Sequence, residues 1–169
     1  SFSRADQARV NLSSSDTGNT RFAQNQMSTS GDATNATLTV TSALGTKVAS
    51  ATTNIFTDDA LRRVVDTSEQ LARLVPENEE YMGELEAQQY PDSNPYFEST
   101  GELAPERRAR AIAAVTEQAA SRNLISTGFL IHRAASTAVA TSNGLFAYGT
   151  NTGVNFTTTV RTPDGTGSG

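Results

Sequence analysis

A layered α+β fold is the class this sequence predicts, with a mostly antiparallel or mixed sheet and two principal helices packed on one face. Three observations carry it. In Thr34–Ala43, Ala36, Leu38 and Val40 alternate with Thr37, Thr39 and Thr41, the two-residue period of a half-buried strand rich in β-branched residues. After Ile55 the period becomes helical, with Leu61, Val64, Val65, Ser68, Leu71, Ala72 and Val75 on one stripe. A second helical pattern follows Pro105, and a strand-like composition then returns to the end of the chain. Strands, helices and strands in that order place helices over one face of a sheet. The other face, populated by Thr, Ser and Asn, is either wet or covered by another domain or subunit.

Taken in order, Ala8–Ser14 reads as a first strand and Ser15-Asp16-Thr17-Gly18 as its turn. The stretch "NTRFAQNQMSTS", residues 19–30, reads as a second strand. It sets Phe22, Gln24 and Gln26 on one face against Arg21, Ala23, Asn25 and Met27 on the other. Thr34–Ala43 is the third strand. Leu44-Gly45-Thr46-Lys47 turns the chain, and Val48–Thr53 returns antiparallel to its predecessor. Thr57 is the expected N-cap of the first helix. Asp58 and Asp59 favour its dipole, Phe56 and Leu61 form a hydrophobic staple, and Pro76 marks the stop.

Pro76–Thr100 has little periodicity and three prolines, and Tyr90, Tyr96 and Phe97 are the residues expected to pin it to the core. The second helix starts near Pro105, a good first-turn residue, and ends at Arg122-Asn123. Its narrow stripe is Ala109, Ile112, Ala113, Thr116 and Ala120. Leu124–Ser142 reads as one long strand or two consecutive ones. Asn143-Gly144 is a hairpin signal of the type in which both residues need positive φ. Leu145–Thr150 and Val154–Arg161 complete the strands. Residues 1–162 are expected to form one domain and 163–169 a flexible tail or truncated linker.

The chain has 169 residues, a formal net charge of -5 and no cysteine, which excludes disulfides and thiolate ligands. A net negative surface argues against nucleic acid, and Arg107, Arg108 and Arg110 lie beside Glu102 and Glu106 as in a solvated helix face. No apolar run approaches the roughly 20 residues that span a bilayer, so no membrane partner is expected. The opening "SFSRADQARV" lacks the apolar core of a signal peptide. A cytoplasmic location is the expectation.

Candidate chemistry is sparse. His132 is the single histidine and lies in a strand between Ile131 and Arg133, as a structural or partly exposed residue. No H-E-x-x-H sequence and no Gly-rich phosphate loop occurs. Glu77, Glu79, Glu80, Glu84 and Glu86 lack the alternating oxygen ligands and central Gly of a calcium loop and read as a solvated acidic loop. No serine or threonine has a base placed by a recognisable pattern. No catalytic, cofactor-binding or metal-ligating residue is assigned in this chain.

Arg21-Phe22-Ala23-Gln24-Asn25-Gln26-Met27 resembles the "T-R-F-A-N-N" strand of the TldD/PmbA family of microbial metalloproteases, also called modulators of DNA gyrase. "TVTSALGTKVASATTNIFTDDALRRVVDTSEQLARLVPENEEY" resembles that family's strand, glycine turn, strand and amphipathic helix ending in "A-R-L-x-P". "ATSNGLFAYGTNTGVNFTTTVRTPDGTGSG" resembles its "N-S-x-G" hairpin and following strand. The resemblance implies that this chain is the N-terminal part of a longer parent. In the family's metalloprotease members an H-E-x-x-x-H helix and a further metal ligand lie beyond this region, so any zinc belongs to the missing part. The other branch the resemblance allows is a noncatalytic PmbA-like partner, which lacks the full metal motif. The resemblance also implies a role in subunit contacts and cavity wall, in a homodimer or a TldD/PmbA-type heterodimer acting on peptides or small unfolded proteins. Arg21, Phe22, Asn25 and Asn143 are the candidate interface or peptide-contacting residues. The alternative reading is a freestanding peptide-binding or protein-interaction module using exposed strand edges.

Overall fold

The computed structural model describes residues 2–91 and 95–169; positions 92–94 of the long connection lie outside the described residues. The elements are β1 (Gln7–Ala23), β2 (Gln26–Leu44), β3 (Lys47–Thr53), α1 (Asp58–Leu74), α2 (Glu98–Gly101), α3 (Pro105–Ser121), β4 (Ile125–Thr141) and β5 (Phe146–Arg161). The strands form one five-stranded antiparallel sheet in the order β3-β2-β1-β4-β5. The layered α+β class is the one the chain adopts. The chain divides into two compact units, one of Ser1–Ser14, Asn35–Asn94 and Ser136–Thr150, the other of Ser15–Thr34, Pro95–Ala135 and Asn151–Gly169.

In the first unit α1 begins as its sequence dictates. The Thr57 Oγ1 accepts a hydrogen bond from the Ala60 N–H at 3.4 Å, and Asp58 and Asp59 occupy the first turn. Val64 and Val65 pack on Val40 of β2, with Val10, Leu38 and Ala51 around them. Beside them the hydroxyls of Ser42 and Ser68 lie 2.7 Å apart, both fully buried, so a small polar pair is satisfied within the interface. The stripe is narrower than its periodicity suggests: Leu71 and Phe56 of the expected staple are exposed, and Glu69 is buried. The Glu69 carboxylate accepts from the Ser3 hydroxyl at 2.9 Å and from the backbone N–H groups of Arg4 and Ala5 at 2.6 and 3.2 Å. Burial alone would raise its pKa, but these hydrogen bonds and Arg73 outweigh it and hold the group below the ordinary value. One acidic side chain thereby ties the start of the chain to α1.

In the second unit the buried face of α3 is Arg108, Ile112, Thr116 and Ala119, whereas Ala120, expected inside, is exposed. Phe22, Ile112 and Leu130 form the core with Leu103 against them, and the Phe156 ring stacks on Phe22 at 5.9 Å. Residues beyond β5 turn back on it. The Thr162 N–H donates to the Gly167 carbonyl at 3.0 Å, and Val160 and Gly169 exchange N–H···O bonds of 2.7 and 2.8 Å.

Several expected turns are displaced. Ser15-Asp16-Thr17-Gly18 is not a turn but the middle of β1. The reversal falls at Gln24 and Asn25, with φ of 51° and 60°, inside the stretch expected to be one strand. The physical reason is the partner that Asn25 finds. Its Nδ2 donates to the Leu124 carbonyl at 2.7 Å, and its Oδ1 accepts from both the N–H and the hydroxyl of Ser126 at 2.7 Å. Tertiary hydrogen bonds thus outweigh the local preference of a Ser-Asp-Thr-Gly sequence.

At Asn143-Gly144 only Gly144 has positive φ, 91°. The Gly144 N–H donates to the Thr141 carbonyl at 3.2 Å and the Thr141 N–H to the Leu145 carbonyl at 3.0 Å. This is a three-residue loop with glycine in the left-handed position, not the two-residue form in which asparagine shares that burden. β4 and β5 are each single continuous strands, and α2 is a short helix with no side-chain cap that the sequence pattern did not announce.

The Asn25 clamp gives a direct test. Asn25→Ala places a Cβ-bearing residue without a local hydrogen bond at φ 60° and strands the buried Ser126 donors, so it should cost about 3 kcal/mol in urea unfolding. Asn25→Gly keeps only the backbone tolerance and should recover about 1–2 kcal/mol of that. Equal losses in the two variants would show that the side-chain clamp alone sets the cost.

Candidate functional site

Arg108, expected on a solvated helix face, is instead the largest fully buried side chain among the described residues, 1% exposed. Its Nε donates to the Thr20 hydroxyl at 3.2 Å and its Nη1 to the Leu103 carbonyl at 3.0 Å. Nη1 also lies 3.0 Å from the His132 Nε2. Nη2 stands 2.7 Å from an Asp32 carboxylate oxygen, an ion pair whose angle misses hydrogen-bond geometry. The arginine is buried because these partners together replace water around the guanidinium. Gly18 makes room for them: a Cβ at that position would overlap Arg108, His132 and Asp32.

His132 is buried, and its state follows from its neighbour. An arginine only donates, so Nε2 accepts and the neutral ring carries its proton on Nδ1. Burial and the Arg108 charge lower the His132 pKa, and Asp32 and the Thr100 backbone offset this only in part. The cluster borders a cleft of about 320 Å³ whose wall includes Asp16, Thr34 and Glu102. Among the described residues no group of three or more His, Cys, Asp and Glu side chains is placed to hold a metal. The single histidine has its Nε2 against a guanidinium, and that cation repels a metal ion. The zinc implied by the resemblance therefore finds no fitting donor set in these residues. What the cluster does is fix a charge and hold α3 in place.

The first unit carries a surface of another kind. On the face of β2 away from α1, Thr37 and Thr39 line an open trough of about 860 Å³ with Asn11 and Ser13. Tyr90, Phe146 and Tyr148 also line it and are 55%, 67% and 63% exposed. The Thr39 and Thr52 hydroxyls lie 3.0 Å apart across β2 and β3, whose register pairs these residues. The expected face of Thr, Ser and Asn is there, but its aromatic rim was not foreseen.

The long connection is anchored by polar groups. Tyr90, Tyr96 and Phe97, expected to pin it, are exposed. Glu84, read as part of a solvated acidic loop, is buried: its N–H donates to the Gln7 Oε1 at 2.6 Å and its carboxylate pairs with Arg9 at 3.2 Å. The Asn143 Nδ2 donates to the Glu84 carbonyl at 2.8 Å, which gives Asn143 an anchoring position. Of the other candidates, Phe22 lies in the core, Asn25 clamps the start of β4, and Arg21 is exposed. No local sequence signal pointed to Arg108, Asp32 or Glu84, because their partners are distant in the chain.

The lowered pKa of His132 fixes the sign of a pH effect. The unfolded histidine takes its proton near pH 6.5, whereas the folded one does so only at lower pH. Between those values the unfolded state binds more protons, so the contribution of the neutral ring is complete above pH 6.5 and is lost as pH falls through the folded value. Urea midpoints should fall between pH 7.5 and 5.5, and less steeply in His132→Gln, whose amide oxygen can still accept from Arg108. Identical slopes for the two proteins would exclude His132 as the source.

Residues 8–72 match the family model described as PmbA/TldA metallopeptidase domain 1. No curated protein matches the chain in sequence. Solved structures match it in fold. TldE from Thermococcus kodakarensis superimposes with a TM-score of 0.82 at 13% identity, over 94% of this chain and 37% of that one. A candidate modulator of DNA gyrase from Thermotoga maritima MSB8 gives 0.82 at 12% identity, over 96% and 37%. Another from Bacteroides thetaiotaomicron VPI-5482 gives 0.74 at 16% identity, over 92% and 36%. The chain thus spans little more than a third of the length of these relatives, and at such identities the likeness shows the fold. The resemblance to the N-terminal region of the TldD/PmbA family is therefore shown, by the domain 1 match over residues 8–72 and by a shared fold along nearly the whole chain.

Proposed function

We propose that this chain is the noncatalytic N-terminal structural and assembly domain of a TldD/PmbA-like zinc-dependent peptidase acting on peptides or small unfolded proteins. The observation that carries the reading is the trough of the first unit, where Tyr90, Phe146 and Tyr148 stand exposed around a threonine-lined sheet face. Exposed aromatic clusters with polar surroundings mark interaction surfaces, because each ring removes a large apolar area from water when covered. The occupant proposed for this surface is a second subunit, in a homodimer or a TldD/PmbA-type heterodimer. The hydrolytic step belongs to the remaining C-terminal part of the parent, where zinc would activate the attacking water. A cytoplasmic location belongs to the same reading; the structure itself adds that no described helix is long and apolar enough to cross a membrane.

The test uses the full-length parent and the chain of residues 1–169 side by side. The parent should assemble and cleave unfolded peptides, and the 169-residue chain should cleave none with or without zinc. Phe146→Lys with Tyr148→Lys should weaken subunit association by at least about 30-fold in sedimentation equilibrium, the scale of losing one aromatic hot spot. Because both side chains are exposed, the melting temperature of the 169-residue chain should hardly move. Peptide cleavage by that chain alone would overturn the noncatalytic reading, and an unchanged assembly constant would remove the trough from the interface.

A further inference from the structure

In the loop between β4 and β5, Asn143 precedes a glycine, the neighbour that least obstructs attack of a backbone nitrogen on an asparagine side-chain amide. A Cβ at Gly144 would meet nothing within 4 Å and the residue is exposed, so there is room for a ring to close and for water to reach it. The two groups that would react are nevertheless each tied elsewhere. The Gly144 N–H donates to the Thr141 carbonyl at 3.2 Å. The Asn143 Nδ2 donates to the Glu84 carbonyl at 2.8 Å, and its Oδ1 accepts from the Ser142 hydroxyl at 3.4 Å. Residues 84–86 thus lie as a strap against the turn. The Thr141 hydroxyl donates to the Leu85 carbonyl at 2.8 Å, and Glu86 forms an antiparallel bridge with Gly144. The strap is fastened in turn to β1 through Gln7, whose Oε1 accepts from the Glu84 N–H at 2.6 Å and from the Tyr81 hydroxyl at 3.3 Å. All of these residues belong to the first unit.

We propose that Asn143 is a site of spontaneous deamidation guarded by this strap, and that the reaction acts as a one-way latch on it. The step balances with water alone. Once the strap lifts, the Gly144 backbone nitrogen gives its proton to hydroxide and attacks the Asn143 Cγ, an intramolecular approach that the seated hydrogen bonds prevent. The new C–N bond closes a cyclic imide, the Cγ–Nδ2 bond breaks, and the amide nitrogen leaves as ammonia with a proton from water. Water then opens the ring at either carbonyl and leaves aspartate or isoaspartate at position 143. The product cannot resume the old contact. A carboxylate has no N–H to offer the Glu84 carbonyl, and it adds a negative charge beside a strap that already carries Glu84 and Glu86. Isoaspartate also routes the main chain through the side-chain carbon, lengthening a turn whose hydrogen bonds fix its geometry. An opening that would otherwise reverse is therefore recorded covalently. The latch goes beyond the assembly reading, since it needs neither zinc nor a second subunit.

The experiment follows position 143 by peptide mapping and mass spectrometry in mildly alkaline buffer, with aspartate and isoaspartate products separated by chromatography. The complete 169-residue chain is compared with a capped, unstructured peptide of residues 138–148. Both should convert, the chain at least about tenfold more slowly, because lifting the strap first breaks several hydrogen bonds. Gln7→Ala removes the strap's anchor without touching the reacting atoms and should quicken conversion at least about threefold. Tyr81→Phe, which removes only a hydroxyl, should act in the same direction to a smaller extent. Asn143→Asp, which installs one product, should speed amide exchange at Glu84 at least about threefold. Conversion of the chain at the rate of the peptide, or a rate indifferent to both strap variants, would overturn the strap as guard. No conversion in the chain or either variant while the peptide converts would remove the site. Unchanged exchange at Glu84 in Asn143→Asp would remove the latch.

Discussion

Four strands of sixteen to nineteen residues make the backbone ladder the constraint to which the other features of this molecule answer. A strand of that length commits every other backbone group to each neighbour, and breaking the ladder midway would leave those groups without partners. Local preferences yield to it. A Ser-Asp-Thr-Gly sequence stays extended within β1, and Gly18 serves there as the place where a missing Cβ admits Arg108 and His132. Turns survive only where the ladder ends and where a side chain can hold the reversed backbone. Asn25 does so with three side-chain hydrogen bonds to the start of β4 and the residue before it.

The features legible in the sequence are those whose cause is local. α1 was readable because its cap, its acidic first turn and its Val64–Val65–Ser68–Ala72 stripe lie within one segment. The β2–β3 hairpin was readable because Gly45, at φ 59°, occupies a turn between two alternating runs. Burial of charge was not readable. Arg108 meets Thr20, Asp32 and His132, residues 88, 76 and 24 positions away, so its segment looks like any exposed basic helix face. Glu84 hides in an acid-rich stretch for the same reason, its partners Gln7 and Arg9 lying more than 70 residues earlier. In both cases hydrophobicity describes the side chain alone, whereas burial depends on what it meets.

Three of the residues that carried the family resemblance make contacts within the fold. Phe22 fills the core of the second unit, Asn25 holds a left-handed turn, and Asn143 binds the Glu84 carbonyl. A recognisable short motif is often one whose geometry leaves few alternatives, and a left-handed, doubly clamped asparagine is such a position. The surfaces left uncovered use common residues without fixed spacing, namely threonines, glycines and scattered aromatics. They are therefore nearly silent in the sequence and conspicuous in the fold.

The trough of the first unit presents side chains rather than free backbone, and in the assembly reading rings such as Phe146 and Tyr148 would discriminate by shape, which suits one constant partner. The threonine hydroxyls beneath them are met by water while the surface is open, so covering it favours only a partner whose own groups replace those bonds.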